Sequence, residues 1–371
     1  MGVPALAIAG FLCVLAVLAY ALLRHVYLAA LTIAAPLCVL AASFVLPHAW
    51  RGLDMTVAVL FAPVCTLLIN DRVSRSVCMG MPAREAVALA LKEIAAAAGP
   101  ILTAYVLALF VLDPGWMAWT SRASDAVTAV AAFAVSLALG TVAMWLPYSE
   151  DFIARANAAR ERRERLFEHM SGLSETRWSF SVSGIAMVLA AVALFGIRGL
   201  HVPVYWRGAT GFAGSAVLLA VVFAAIARNW RLALAAILAV MLVALLTSWM
   251  LARIDSRFVI PLELWLLVVP ALVPMSLFIL RMSRHLTRDE NPPLAVARTL
   301  GEQGPATFVA FLALTAAATV DALRSGLVMP VLFMPAFAGL AAALLFFPAF
   351  GNTLYWLLPR YRSVDEVFGK R

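Results

Sequence analysis

Two carboxylates, Asp54 and Glu263, stand 209 positions apart near the outer ends of two apolar segments built to the same plan. Glu263 lies in Pro261-Leu262-Glu263-Leu264-Trp265, within an apolar run. A carboxylate at membrane depth is costly, so it is expected to carry a proton, contact a ligand or hydrogen-bond a neighbouring helix. Asp54, in Leu53-Asp54-Met55-Thr56, better suits the cap of a helix N-terminus. Asp71, between Asn70 and Arg72, is placed to pair with a neighbouring arginine or with the opposite half of the chain. Arg75 and Arg284 are placed to snorkel towards lipid headgroups. Pro63, Pro270 and Pro274 interrupt the same apolar segments and would free backbone carbonyls, giving a kink for packing or a binding notch.

Other chemistry finds no residues to carry it. The sequence has no nucleophile–base constellation, no Gly-rich phosphate loop and no metal-ligand cluster. Its five histidines, His25, His48, His169, His201 and His285, fall far apart in loops or at span ends. Cys13, Cys38, Cys65 and Cys78 show no CxxC spacing, which argues against disulfides and zinc. No catalytic residue, metal or cofactor is expected, and the chain is not read as an enzyme.

The elements that must position these residues are membrane helices. With 64% hydrophobic residues, 13% charged and a mean hydropathy of +0.96, the chain is not a soluble domain. About eleven apolar stretches are long enough to span a bilayer, roughly 4–23, 26–46, 54–70, 98–112, 126–147, 180–198, 211–227, 232–252, 258–280, 305–321 and 327–347. Of the 28 Lys and Arg, 21 fall in alternate segments and 7 in the others. Positive loops face the cytoplasm, so the N-terminus is expected outside and the C-terminus inside, in a bacterial inner membrane. The charge of +8 is thereby accounted for without nucleic acid.

A signature occurs twice within this series. Arg72-Val73-Ser74-Arg75 and Arg281-Met282-Ser283-Arg284 each end an apolar segment, and each is followed by a charged helix and a Gly-Pro pair, Gly99-Pro100 and Gly304-Pro305. The expected fold is therefore all-α: a polytopic bundle of two parallel pseudo-repeats of five helices plus a connecting helix. The parts are a first repeat, 1–149; an amphipathic cytoplasmic linker helix, 150–178; a connecting span, 179–200; a second repeat, 201–359; and a tail, 360–371. The linker helix is expected either on the inner membrane surface or as a solvated connection.

This layout resembles the membrane part of the RND superfamily, and in flavour its MMPL-type lipid and hydrophobe exporters. The resemblance is carried by Ser74-Arg75 followed by Gly80-Met81-Pro82-Ala83-Arg84-Glu85-Ala86-Val87, and by Ser283-Arg284 followed by Asn291-Pro292-Pro293-Leu294-Ala295-Val296. It implies a transporter that moves a lipid or other hydrophobic molecule between the two halves. The family's proton-relay acid would fall at Leu67, beside Thr66, and at Ser276, none of them ionisable. The family's large outer domains have no counterpart, since only Gly199 to Thr210 separate spans six and seven. The resemblance thus implies membrane lipids and a protein partner that supplies periplasmic domains or completes a complex. The alternative it leaves is a non-transporting scaffold or lipid-sensing subunit without a proton relay.

Overall fold

The computed structural model describes residues 3–45, 54–111, 119–170, 262–286 and 292–325, with short helical pieces between 181 and 238. All the described secondary structure is helical. In chain order, α1 is Val3–Leu23, α2 Val26–Val45, α3 Asp54–Cys78, α4 Ala83–Val111 and α5 Trp119–Val142. A 3-10 turn, Ala143–Trp145, leads to α6, Glu150–Met170. Beyond it, α7 is Leu262–Leu286 and α8 is Pro292–Ser325.

The centre of the bundle is α3. Phe61 through Asp71 and Val73 through Val77 are all buried, so this helix is surrounded on every side. Helix α7, which ends in the second Arg-x-Ser-Arg signature, is buried in the same way from Leu272 through Ile279 and again at Arg281, Met282 and Ser283. A helix covered all round must bury its polar groups with partners, and that requirement shapes the site described below. Helices α2, α4 and α5 surround α3; α8 and α4 pack on α7; α1 crosses to α8, with Phe11, Leu15 and Ala313 forming a separate apolar contact.

Local chemistry sets the helix ends. Gly80 adopts φ +85 after α3, where Gly80 N–H bonds Val77 O at 2.9 Å and Met81 N–H bonds Ser76 O at 3.0 Å. These two bonds are the Schellman stop, which needs the left-handed conformation that glycine adopts at no steric cost. Between α1 and α2, Arg24 takes φ 55 and closes a two-residue turn by donating its N–H to Tyr20 O at 2.8 Å.

The Gly-Pro pairs do not separate a charged helix from a span. Pro100 lies inside continuous α4 and Pro305 inside continuous α8, so charged segment and apolar segment form one rod in each half. The reason is that a break inside hydrocarbon would strand more backbone groups than the one donor a proline removes. At 29 residues, α4 is about 43 Å long, which exceeds the apolar thickness of a bilayer and carries its first turns beyond it. Pro63 likewise lies inside continuous α3, and the range of α7 includes Pro270 and Pro274.

Among the described residues, Ala83–Phe110 and Ala123–Trp145 are long and apolar enough to cross a membrane, while Ala9–Leu23 and Val26–Ala41 are shorter apolar helices. The expected spans at 211–227, 232–252 and 327–347, most of 180–198 and the tail lie largely outside the described residues.

Helix α6 is neither a free connection nor a purely lipid-facing one over its first turns. Phe152 and Ala156 are buried, Arg163 Nη1 donates to Leu22 O at 2.7 Å, and the helix packs along α8. Its outer face stays open, as at Arg165 and Glu161.

Candidate functional site

Helices α3, α4, α7 and α8 bring one cluster of charges together at the end of the bundle where α3 and α7 finish. Its centre is Glu93, on the part of α4 that precedes Gly99-Pro100, with a side chain only 2% exposed. Three arginines converge on it. Arg72, on α3, places Nε 3.0 Å from Oε2 and donates from Nη2 to Oε1 at 3.2 Å. Arg281 Nη2, on α7, donates to Oε2 at 3.4 Å, and Arg284 Nη1, one turn later, donates to Oε1 at 2.5 Å. A buried carboxylate is tolerated at this depth because charge-assisted donors from both halves surround it.

The cluster carries the repeat within it. Arg72 precedes Glu93 by the same 21 positions that separate Arg281 from Glu302 on α8. Arg281 Nη1 in fact lies 3.9 Å from Glu302 Oε2, and His285 Nε2 lies 3.6 Å from Glu302 Oε1. The two carboxylates differ in setting: Glu302 is 39% exposed, whereas Glu93 is sealed and contacts both halves.

Deeper in α3, the polar groups are neutral. Asn70, fully buried, donates from Nδ2 to Leu28 O at 2.9 Å and to Thr32 Oγ1 at 3.1 Å, which fixes α3 against α2. Thr66 Oγ1 donates to Ala62 O at 2.9 Å, and Ser136 Oγ, from α5, donates to the same carbonyl at 3.1 Å. On α7, Ser276 Oγ donates to Leu272 O at 2.7 Å. Among the described side chains, no ionisable group other than Cys65 lies between Phe61 and Asn70 of α3, and none between Leu272 and Leu280 of α7.

A second polar joint holds the turn between α1 and α2. His25 Nε2 donates to Pro147 O at 3.0 Å, while Nδ1 accepts from Leu28 N–H at 3.3 Å. Both bonds together require the neutral ring. Burial pushes the His25 imidazolium below its usual range, partly offset by the bond to Pro147. Phe152 stands edge-on to the ring at 4.6 Å, and Tyr148 lies 5.3 Å away.

The residues singled out from the sequence fall into three groups. Asp71 pairs with Arg75 within α3, Nε to Oδ2 at 2.9 Å, and Thr66 and Ser276 face buried surroundings with their hydroxyls turned back on their own helices. Arg75 is itself buried, while Arg284, with its side chain 46% exposed, bonds Glu93. Asp54 is the first residue of α3 and Glu263 the second of α7; their side chains, and that of Pro270, lie outside the described residues.

Glu93, Asn70, His25 and Arg281 are the residues that sequence reasoning missed. The signal for Glu93 and Glu302 was present in the repeated 21-residue interval from arginine to glutamate. His25 and Asn70 had no such signal, because their partners come from distant segments.

The architecture has a counterpart in a solved membrane protein, with which this chain shares its fold. Over 96% of its length it superposes on SecDF, described as a translocon-associated membrane protein from Thermus thermophilus, with a TM-score of 0.67 and 11% sequence identity. The chain spans 62% of the length of that structure. No family model and no curated protein matches the sequence.

Proposed function

We propose that this chain is a transporter-like subunit of RND fold in a bacterial plasma membrane, which handles a lipid or other hydrophobic molecule together with partner subunits. The observation that carries this reading is the union of two pseudo-equivalent helices, α3 and α7, through Glu93 at one end of the bundle. A cargo passing between apolar helix faces would have to be hydrophobic itself. The likeness to a translocon-associated protein supports a role beside other membrane chains. Partner chains would also provide outer-face domains.

The second reading is a non-transporting scaffold or lipid-sensing subunit. Its support is the neutral character of α3 from Phe61 to Asn70, apart from Cys65, and of α7 from Leu272 to Leu280. A proton-driven cycle needs an ionisable group at membrane depth, and Glu263 is the candidate carboxylate for that part.

The test is made on the full chain in its native membrane. Glu263→Gln is compared with the parent for export of labelled lipid and for co-purification of partner chains. Loss of export with the complex intact supports transport. Unchanged export with loss of the complex contradicts it and supports the scaffold.

A further inference from the structure

The two carboxylates of the charge cluster are pseudo-equivalent in sequence but not in setting, and one further pair of residues accounts for the difference. One turn before Arg75 stands Asp71, which holds the Arg75 guanidinium at 2.9 Å within α3. The position 209 later, one turn before Arg284, is Leu280. Arg284 therefore has no acid at that place on its own helix and reaches across to Glu93. Glu93 gains two arginines from the other half, while Glu302 is met by Arg281 and His285 of its own half.

We infer that the cluster is a two-position switch, in which the shared carboxylate alternates between Glu93 and Glu302, and that Asp71 biases it towards Glu93 by sequestering Arg75. Arg281 already stands between the two positions, 3.4 Å from Glu93 and 3.9 Å from Glu302. In the alternative position, Glu302 is shared by Arg281, Arg72 and Arg75, and Glu93 keeps Arg72. The required neighbours exist on both sides, because α4 packs on α7 and α8 packs on α3. In the exchange Glu93 gives up Arg281 and Arg284, and Glu302 gains Arg72 and Arg75, the arginines at the positions 209 earlier. Packed interfaces of this kind have discrete arrangements, not a continuous range. Moving the shared position draws α8 towards α3 and lets α4 leave α7, which is a rocking of one half against the other at this end of the bundle. The inference rests on the pseudo-symmetry of the halves and not on the nature of any cargo.

The experiment uses the full chain in lipid nanodiscs, with Cys13, Cys38, Cys65 and Cys78 replaced by Ala. Spin labels are placed either at Ala88→Cys and Leu286→Cys, reporting α4 against α7, or at Met79→Cys and Arg298→Cys, reporting α3 against α8. Distances are measured with Asp71 intact, with Asp71→Asn and with Leu280→Asp. Asp71→Asn removes the carboxylate that holds Arg75 within α3 and is expected to add a population with the first distance longer and the second shorter. Leu280→Asp captures Arg284 and is expected to act in the same direction, which keeps the test open should Asp71→Asn fold poorly. Unchanged distances in a folded variant overturn the switch. Lengthening of both distances also overturns it, since that is loosening and not exchange.

Discussion

Glu93 and Arg284 are 191 positions apart in the chain, yet the carboxylate of one accepts a hydrogen bond from the guanidinium of the other at 2.5 Å. The contact joins helix α4 to helix α7. It also fixes the ends of α3 and α7 on the same side of the bundle, because Arg72 of α3 binds the same carboxylate.

Glu93→Gln is expected to destabilise the protein by about 3–5 kcal/mol, since it leaves Arg72 and Arg281 without their shared counter-charge in a buried setting. Glu302→Gln, at a carboxylate 39% exposed, is expected to cost below about 1 kcal/mol. Thermal unfolding of the two variants in one detergent checks the ranking. Equal losses would show that the two positions are not distinguished by burial.

Stability is expected to depend on pH through His25. Its folded pKa is lowered by burial, so the folded state resists the proton that the unfolded chain accepts at the ordinary value of 6.5. A lowered base stabilises nothing above that pH and destabilises progressively as pH falls below it, because only the unfolded state gains the proton. The difference in melting temperature between parent and His25→Gln is expected to shrink between about pH 7.5 and 5.5. A difference that stays constant over that interval would exclude the neutral ring as the bonded form.

Gly140 of α5 packs against α3 so closely that an added Cβ would sit 2.9 Å from Ile69 Cγ2 and 3.1 Å from Leu91 Cδ2. Gly140→Val is expected to cost about 1–3 kcal/mol through overpacking. Replacing Ile69 by Ala in the same chain should recover part of the loss. Recovery is the informative result, because it assigns the cost to this one contact.

Asn70→Leu removes the donor that ties α3 to Leu28 O and Thr32 Oγ1. A loss of about 1–3 kcal/mol is expected, because buried acceptors lose a partner. Thr32→Val should add less in the presence of Asn70→Leu than alone, and a double-mutant cycle reads that coupling.

Much of this arrangement can be read along the chain. The duplicated Arg-x-Ser-Arg signature is local and strongly patterned, and the pairing of Asp71 with Arg75 is a four-residue helical spacing. Gly80 marks the end of α3 because only one backbone conformation closes that turn cheaply. The rest depends on contacts between distant segments. Periodicity alone cannot tell which of Glu85, Glu93 and Glu302 turns inward, because each lies on an amphipathic stretch with arginines in reach. His25 meets a carbonyl 122 positions away, and a carbonyl acceptor leaves no trace in residue type. Pro100 and Pro305 lie inside continuous helices, because the surrounding apolar medium disfavours a break there.

The account depends most on the meeting of the two halves at Glu93. Its most direct test is cross-linking of Glu93→Cys to Arg284→Cys with a short bismaleimide, in the full chain with the four native cysteines replaced by Ala. An intramolecular cross-link, absent from a Glu93→Cys and Arg165→Cys control, is predicted. Failure to cross-link while both thiols react with a single maleimide would contradict the arrangement.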